Sequence, residues 1–178
     1  MNLRIQWARI LVVMTAALFF SPVQAQPMPT LPEPAMVLNF KDFYASPVGP
    51  LGLEMSSVLH QAHGKSVVLT GYMVQQERPR PGQFMLTSRP VQMSEHADGE
   101  ADDLPPATVV VILDPTQKDW AVPHVRGLIE VRGLLNVGRW EGKDNRVSWV
   151  QLQLDPQATR GMNVMEFASY IHSLQHRH

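Results

Sequence analysis

No cysteine occurs anywhere in this chain, and that absence removes several classes of function together. There is no thiolate nucleophile, no Cys-x-x-Cys redox pair, no haem-attachment motif and no cysteine zinc site. There are no disulfide staples either, so the fold rests on buried apolar surface, which a domain of this length can supply. Catalytic signatures are missing as well: there is no Gly-x-Ser-x-Gly elbow, no phosphate-cradling glycine loop and no dinucleotide fingerprint. Ser94, Glu95 and His96 are neighbours in sequence, whereas a catalytic triad is assembled in space. The expectation is a protein that is not an enzyme.

What is present begins with an export signal. Arg4 and Arg9 form a basic start, Ile10 to Phe20 is an apolar run broken only by Thr15, and Val23-Gln24-Ala25 is a small-x-small site. This is the layout of a cleaved secretory signal, with cleavage expected after Ala25. The run is about half the roughly 20 residues a spanning helix needs, so a retained membrane anchor is the weaker reading. No cysteine follows the site for lipidation. The expected location is the periplasm, with no membrane span after cleavage. Removing residues 1–25 takes away two arginines and no acids, so 15 basic against 16 acidic residues becomes 13 against 16, a formal charge of −3. A nucleic-acid binder would normally carry a net basic footprint, so nucleic acid is not an expected partner.

The mature chain reads as one domain behind a spacer. Residues 26–39, with Pro-Met-Pro-Thr-Leu-Pro-Glu-Pro at 27–34, form a proline-rich linker. The domain is assigned to residues 40–178. Phe40, Phe43 and Tyr44 form an arm that packs on it. Ser56 to Ala62 is a short helix ended by Gly64. Ser66 to Val74 is a β-branched strand, with a bend or bulge expected at Gly71. Phe84 to Thr87 and the apolar Thr108 to Leu113 are strands, the latter central. Leu128 to Val137 and Arg146 to Leu154 alternate as a hairpin around Glu141–Asn145, burying Ile129, Val131, Leu135 and Val137 on one side and Val150, Leu152 and Leu154 on the other. Asn163 followed by Glu166 signs the start of an amphipathic terminal helix with Val164, Phe167, Ala168, Ile171 and Leu174 on one face.

Between the second and third strands the chain is acidic. Glu95, Asp98, Glu100, Asp102 and Asp103, with His96, are the densest chemistry-bearing cluster in the sequence. Clustered carboxylates suit a hard cation such as calcium, and a histidine with two carboxylates suits zinc. The spacing is not that of an EF-hand. A solvated surface loop, or a docking surface for a cationic partner, accounts for the same residues. Three further groups carry chemistry. His60 and His63 end the first helix. His172, His176 and His178 end the chain, and solvated termini account for them. Arg132, Arg139, Trp140, Arg146 and Trp149 lie on the last hairpin, with Trp149 expected to pack on the terminal helix.

Five strands, a long connection before the fourth, and glycines inside the first and fourth strands fit a small closed sheet. The expected fold is mainly β: an OB-fold-like five-stranded barrel, with a short N-terminal helix and a C-terminal amphipathic helix. An open two-sheet sandwich is the alternative. The run Gly64-Lys65-Ser66-Val67-Val68-Leu69-Thr70-Gly71-Tyr72-Met73-Val74, then Phe84-Met85-Leu86, Leu104-Pro105-Pro106 and Val109 to Val111, resembles the core of the DUF3299 family, exported bacterial proteins of uncharacterised function. Many members carry a Cys-His pair before the prolines, and here that stretch is the acidic segment. The resemblance implies a binding or accessory role beside a periplasmic or inner-membrane transporter component, some of them linked to metal uptake. The competing reading is a divalent-metal protein, zinc or calcium, using residues 95–103.

Overall fold

The computed structural model describes residues 34–174 except 94, 97–98, 101–103 and 143–145, and of residues 95, 96, 99 and 100 it describes the backbone alone. The fold is mainly β, with a six-stranded mixed sheet and two helices. In chain order the strands are β1 (Met36–Leu38), β2 (Ser66–Met73), β3 (Gln75–Gln76), β4 (Gln83–Thr87), β5 (Gln92–Met93), β6 (Glu95–His96), β7 (Gly99–Glu100), β8 (Val109–Ile112), β9 (Leu128–Glu141) and β10 (Val147–Leu154). The helices are α1 (Ser57–Ala62) and α2 (Val164–Ser173).

The main sheet runs β1-β2-β4-β8-β10-β9, and β2 also pairs with β9. The β2–β4, β4–β8, β9–β10 and β2–β9 pairings are antiparallel, while β8–β10 and β1–β2 are parallel. Two small ribbons, β3 with β5 and β6 with β7, stand outside it. The alternation of β9 places Ile129, Val131 and Leu135 in the core, and β10 buries Val150, Leu152 and Leu154 opposite them. Helix α2 closes the core with Phe167 and Ile171, both essentially inaccessible. Phe167 lies 6.3 Å from Phe84, centroid to centroid. Its capping box is complete: the Asn163 carboxamide oxygen accepts from the Met165 and Glu166 N–H groups, and Glu166 accepts from the Asn163 N–H at 2.7 Å.

Three expectations need correcting. Met36–Leu38, read from sequence as part of the linker, is a strand parallel to β2. Three residues are too few to show the alternation that marks a strand. Gly71 is not a bulge: the β2–β9 register runs unbroken from Ser66↔Leu134 to Tyr72↔Leu128. The irregularity lies instead in the β9–β10 hairpin, where Ser148 pairs Trp140 but Val150 pairs Val137. Two residues of β9, Gly138 and Arg139, thus oppose Trp149 alone. The acidic stretch, expected as loop, contains the β6–β7 ribbon with Glu95 opposite Glu100 and His96 opposite Gly99.

Candidate functional site

The site grows out of strand alternation. On β4, Phe84 and Leu86 enter the main core while Met85, between them, faces away. On β8, Val109 and Val111 go in and Val110 faces away. Val74, Met85 and Met93 therefore build a second, smaller apolar cluster on the outside of the sheet, with Val91, Leu104 and Val110 against it. That outer face carries a groove across β4, β8, β10 and the end of β9.

Two adjoining hollows make up the groove, and they share Met85, Val110, Arg146 and Ser148. One, about 230 Å³, lies under Trp149 and is walled by Leu104, Pro105 and Pro106. The other, about 190 Å³, is bounded by Arg80, Gln83, Trp140, Glu141 and Gln151. Trp149 is 47% exposed, a large aromatic face held in water. The bulge in β9 sits directly across from it. Trp149 faces this groove rather than sealing α2 as expected: the cavity walled by α2 is lined by other residues, Val68, Arg132 and Tyr170 among them.

Electrostatics single out the second hollow. Partial burial holds the Arg146 guanidinium below its ordinary range, and the neighbouring charge of Arg80 pushes it further down. The Arg146 guanidinium also reaches the second cluster, where Nη1 donates to the Met93 thioether Sδ at 3.7 Å. Glu141, the acidic residue of this lining, accepts from Arg139 Nη1 at 3.1 Å. Of the expected basic-aromatic group, Trp140, Arg146 and Trp149 line the groove and Arg139 flanks it through Glu141. Arg132 lines the cavity against α2 instead. Sequence reading missed Met85, Val110, Leu104 and Arg80. The outward members of β4 and β8 are as apolar as the inward ones, so nothing marked them as a second surface.

The other candidates are dispersed. Glu95, His96 and Glu100 lie in the β6–β7 ribbon, and their side chains, with Asp98, Asp102 and Asp103, fall outside the described residues. Among the described residues no group of three or more His, Asp or Glu is arranged to hold a metal. His63 is occupied structurally: its Nδ1 accepts the Val137 N–H at 2.9 Å, tying α1 to β9. His60 is exposed on α1. His172 lies in the last turn of α2, while His176 and His178 fall outside the described residues. A more open hollow of about 360 Å³ borders the end of β2. There His124 Nε2 lies 3.2 Å from the Met73 carbonyl oxygen, so that ring nitrogen is engaged with backbone. Among the described residues no helix is long and apolar enough to cross a membrane.

No family model matches the chain, and no curated protein matches it. A crystal structure of a DUF3299 family protein from Pseudomonas aeruginosa PAO1 is similar at 14% identity, over 69% of this chain and 94% of that one, with a TM-score of 0.42.

Proposed function

We propose that this chain is an exported, periplasmic binding or accessory protein, not an enzyme, and that it engages its partner through the outer groove. The partner we propose is a component of a periplasmic or inner-membrane transporter. One observation carries the reading: two adjoining hollows on a single sheet face, furnished with two tryptophans and two arginines around an apolar floor. An apolar site with a few placed polar groups is what a binding surface requires.

Strand pairing supports placing that face in an OB-type barrel. The circuit β2-β4-β8-β10-β9 returns to β2, and its one parallel step is β8 to β10. In such a barrel ligands meet the second and third strands and the loops after the first and fourth. Here those strands are β4 and β8, and those loops carry Arg80 and lead into Arg146. The test is a photo-cross-linking side chain at position 149 in exported protein, with the equally exposed position 128 as control. A transporter component captured from 149 and not from 128 supports the reading. Equal capture from both positions removes the groove as the interface.

A second reading has its own observation: the β6–β7 register sets Glu95 opposite Glu100, with His96 in the next pair. As the alternative function we propose a divalent cation, zinc or calcium, held by Glu95, His96, Asp98, Glu100, Asp102 and Asp103. Metal-stripped protein would then be stabilised by about 2.7 kcal/mol at roughly 100 times the dissociation constant. A variant with those six residues replaced would show no such shift. Unchanged unfolding with zinc and with calcium ends this alternative.

A further inference from the structure

The groove leaves one basic residue of the last hairpin unexplained. Arg132 stands on β9 opposite Val68 of β2, and cross-strand partners are neighbours on one face. Phe167, Tyr170 and Ile171 of α2, with Leu174 at its C-cap, recur at the spacing of a single helical face. Together with Leu154 these residues border a hollow of about 240 Å³. It shares no lining residue with the groove.

Arg132 is under-satisfied there. Its Nε–H is cut off from solvent and has no hydrogen-bond partner among the described residues, and a buried donor left unpaired is costly. The acids beside it are already engaged. Asp155, whose N–H donates to the Arg132 carbonyl oxygen at 2.9 Å, accepts the Gln157 N–H on its carboxylate at 2.9 Å. Glu130, which lines the same hollow two residues before Arg132, has an interaction of its own. The guanidinium thus lacks an acceptor, and most of the lining around it is apolar. A carboxylate gives a guanidinium paired, charge-assisted hydrogen bonds, and an aliphatic chain gains by leaving water. The volume admits roughly eight non-hydrogen atoms, at the ~30 Å³ that each water molecule fills in the liquid.

We propose that the hollow between α2 and the β2–β9 pair binds a short aliphatic monocarboxylate of about six carbons, with its carboxylate on Arg132 and its chain against Val68 and Leu174. This goes beyond the groove, and the two sites stand or fall separately.

The test is titration of the full exported chain with hexanoate, followed by calorimetry and heteronuclear NMR. The expected dissociation constant is about 1 mM or tighter. Hexanamide and hexanol should bind at least about tenfold more weakly, the worth of one charged hydrogen bond. The Arg132 Nε–H resonance, identified by its loss in Arg132→Gln or Arg132→Lys, should move on binding. Arg132→Gln should bring hexanoate down to the level of hexanamide. Ala158→Leu, which narrows the hollow and keeps the arginine, should weaken all three ligands. Thermal unfolding confirms that each variant folds. No binding at about 10 mM hexanoate, hexanamide bound as well as hexanoate, or an affinity that Ala158→Leu leaves unchanged overturns the proposal. So does an Arg132 Nε–H resonance that stays in place, which is read in the wild-type protein. Affinity that keeps rising from hexanoate through decanoate also overturns it, assigning the hollow to the end of a long acyl chain.

Discussion

The ring of Phe40 occupies the space that a side chain at Gly71 would fill. A Cβ at position 71 would stand 2.5 Å from Phe40 Cε2 and 2.9 Å from the Thr87 carbonyl oxygen. Phe40 stacks on Phe43 at 5.1 Å, so the glycine is what lets the N-terminal arm lie on β2. Gly71→Ala should destabilise the protein by about 1–3 kcal/mol, the usual cost of overpacking. Phe40→Ala should cost about 3–5 kcal/mol by leaving a cavity. The double variant should lose less than the sum, because the truncated ring no longer meets the new methyl. Chemical denaturation of all four proteins measures the coupling, and strict additivity would separate the two residues.

Tyr44 secures the other side of the arm. Its hydroxyl donates to the Pro106 carbonyl oxygen at 2.8 Å, and burial pushes its pKa above the ordinary tyrosine value. A raised folded-state pKa means that the folded protein holds this proton more tightly than the unfolded chain. The stability it contributes is complete below about pH 10, the ordinary tyrosine pKa, and is lost as pH rises through the folded value. Tyr44→Phe should remove that alkaline loss and cost on the order of 1 kcal/mol at neutral pH, where the Pro106 carbonyl loses its donor. Urea midpoints measured from neutral to strongly alkaline pH, wild type against variant, check both parts.

Helix α2 depends on its first turn and one aromatic. Asn163→Ala removes the acceptor for the Met165 and Glu166 N–H groups and should cost about 1 kcal/mol. Phe167→Ala empties a site with no solvent access and should cost about 3–5 kcal/mol. Amide exchange should report the first as fraying at the start of α2 and the second as a loss across the sheet beneath it. Uniform loss from Asn163→Ala would mean that the cap is coupled to the whole core.

These elements differ in how openly the sequence displays them. Helix α2 was legible because its cap and its 3.6-residue period agree, and β9 and β10 because each alternates over many residues. The mainly β fold followed from them. Strand β1 was not legible: Met36, Val37 and Leu38 lie beside a proline run and owe their pairing to β2 rather than to any pattern of their own. Gly71 was misjudged because a glycine inside a strand signals either a bulge or a close approach, and only Phe40 decides between them. The groove was half legible. Trp140, Arg146 and Trp149 stand together in sequence, but Met85 and Val110 read as core. Arg80 reached the same hollow through a turn whose path no local pattern reveals.

Gly133 gives the sharpest contrast with Gly71. It pairs with both Val67 on β2 and Leu154 on β10. A Cβ there would overlap the Gln153 carbonyl oxygen and stand 2.6 Å from Leu152 Cδ2. At Gly71 the nearest obstacle is the edge of the Phe40 ring, which can be cut away, and the Thr87 carbonyl oxygen stands farther off at 2.9 Å. At Gly133 it is the backbone of the neighbouring strand, which moves only if β9 and β10 part. Gly133→Ala should therefore cost more than Gly71→Ala, on the order of 3 kcal/mol or above. Truncating Leu152 should not rescue it, since the carbonyl oxygen remains. A Gly133→Ala protein as stable as Gly71→Ala, or one restored by Leu152→Ala, would mean that β9 can shift away from β10 at little cost. The groove residues that follow on both strands would then not be held in fixed register.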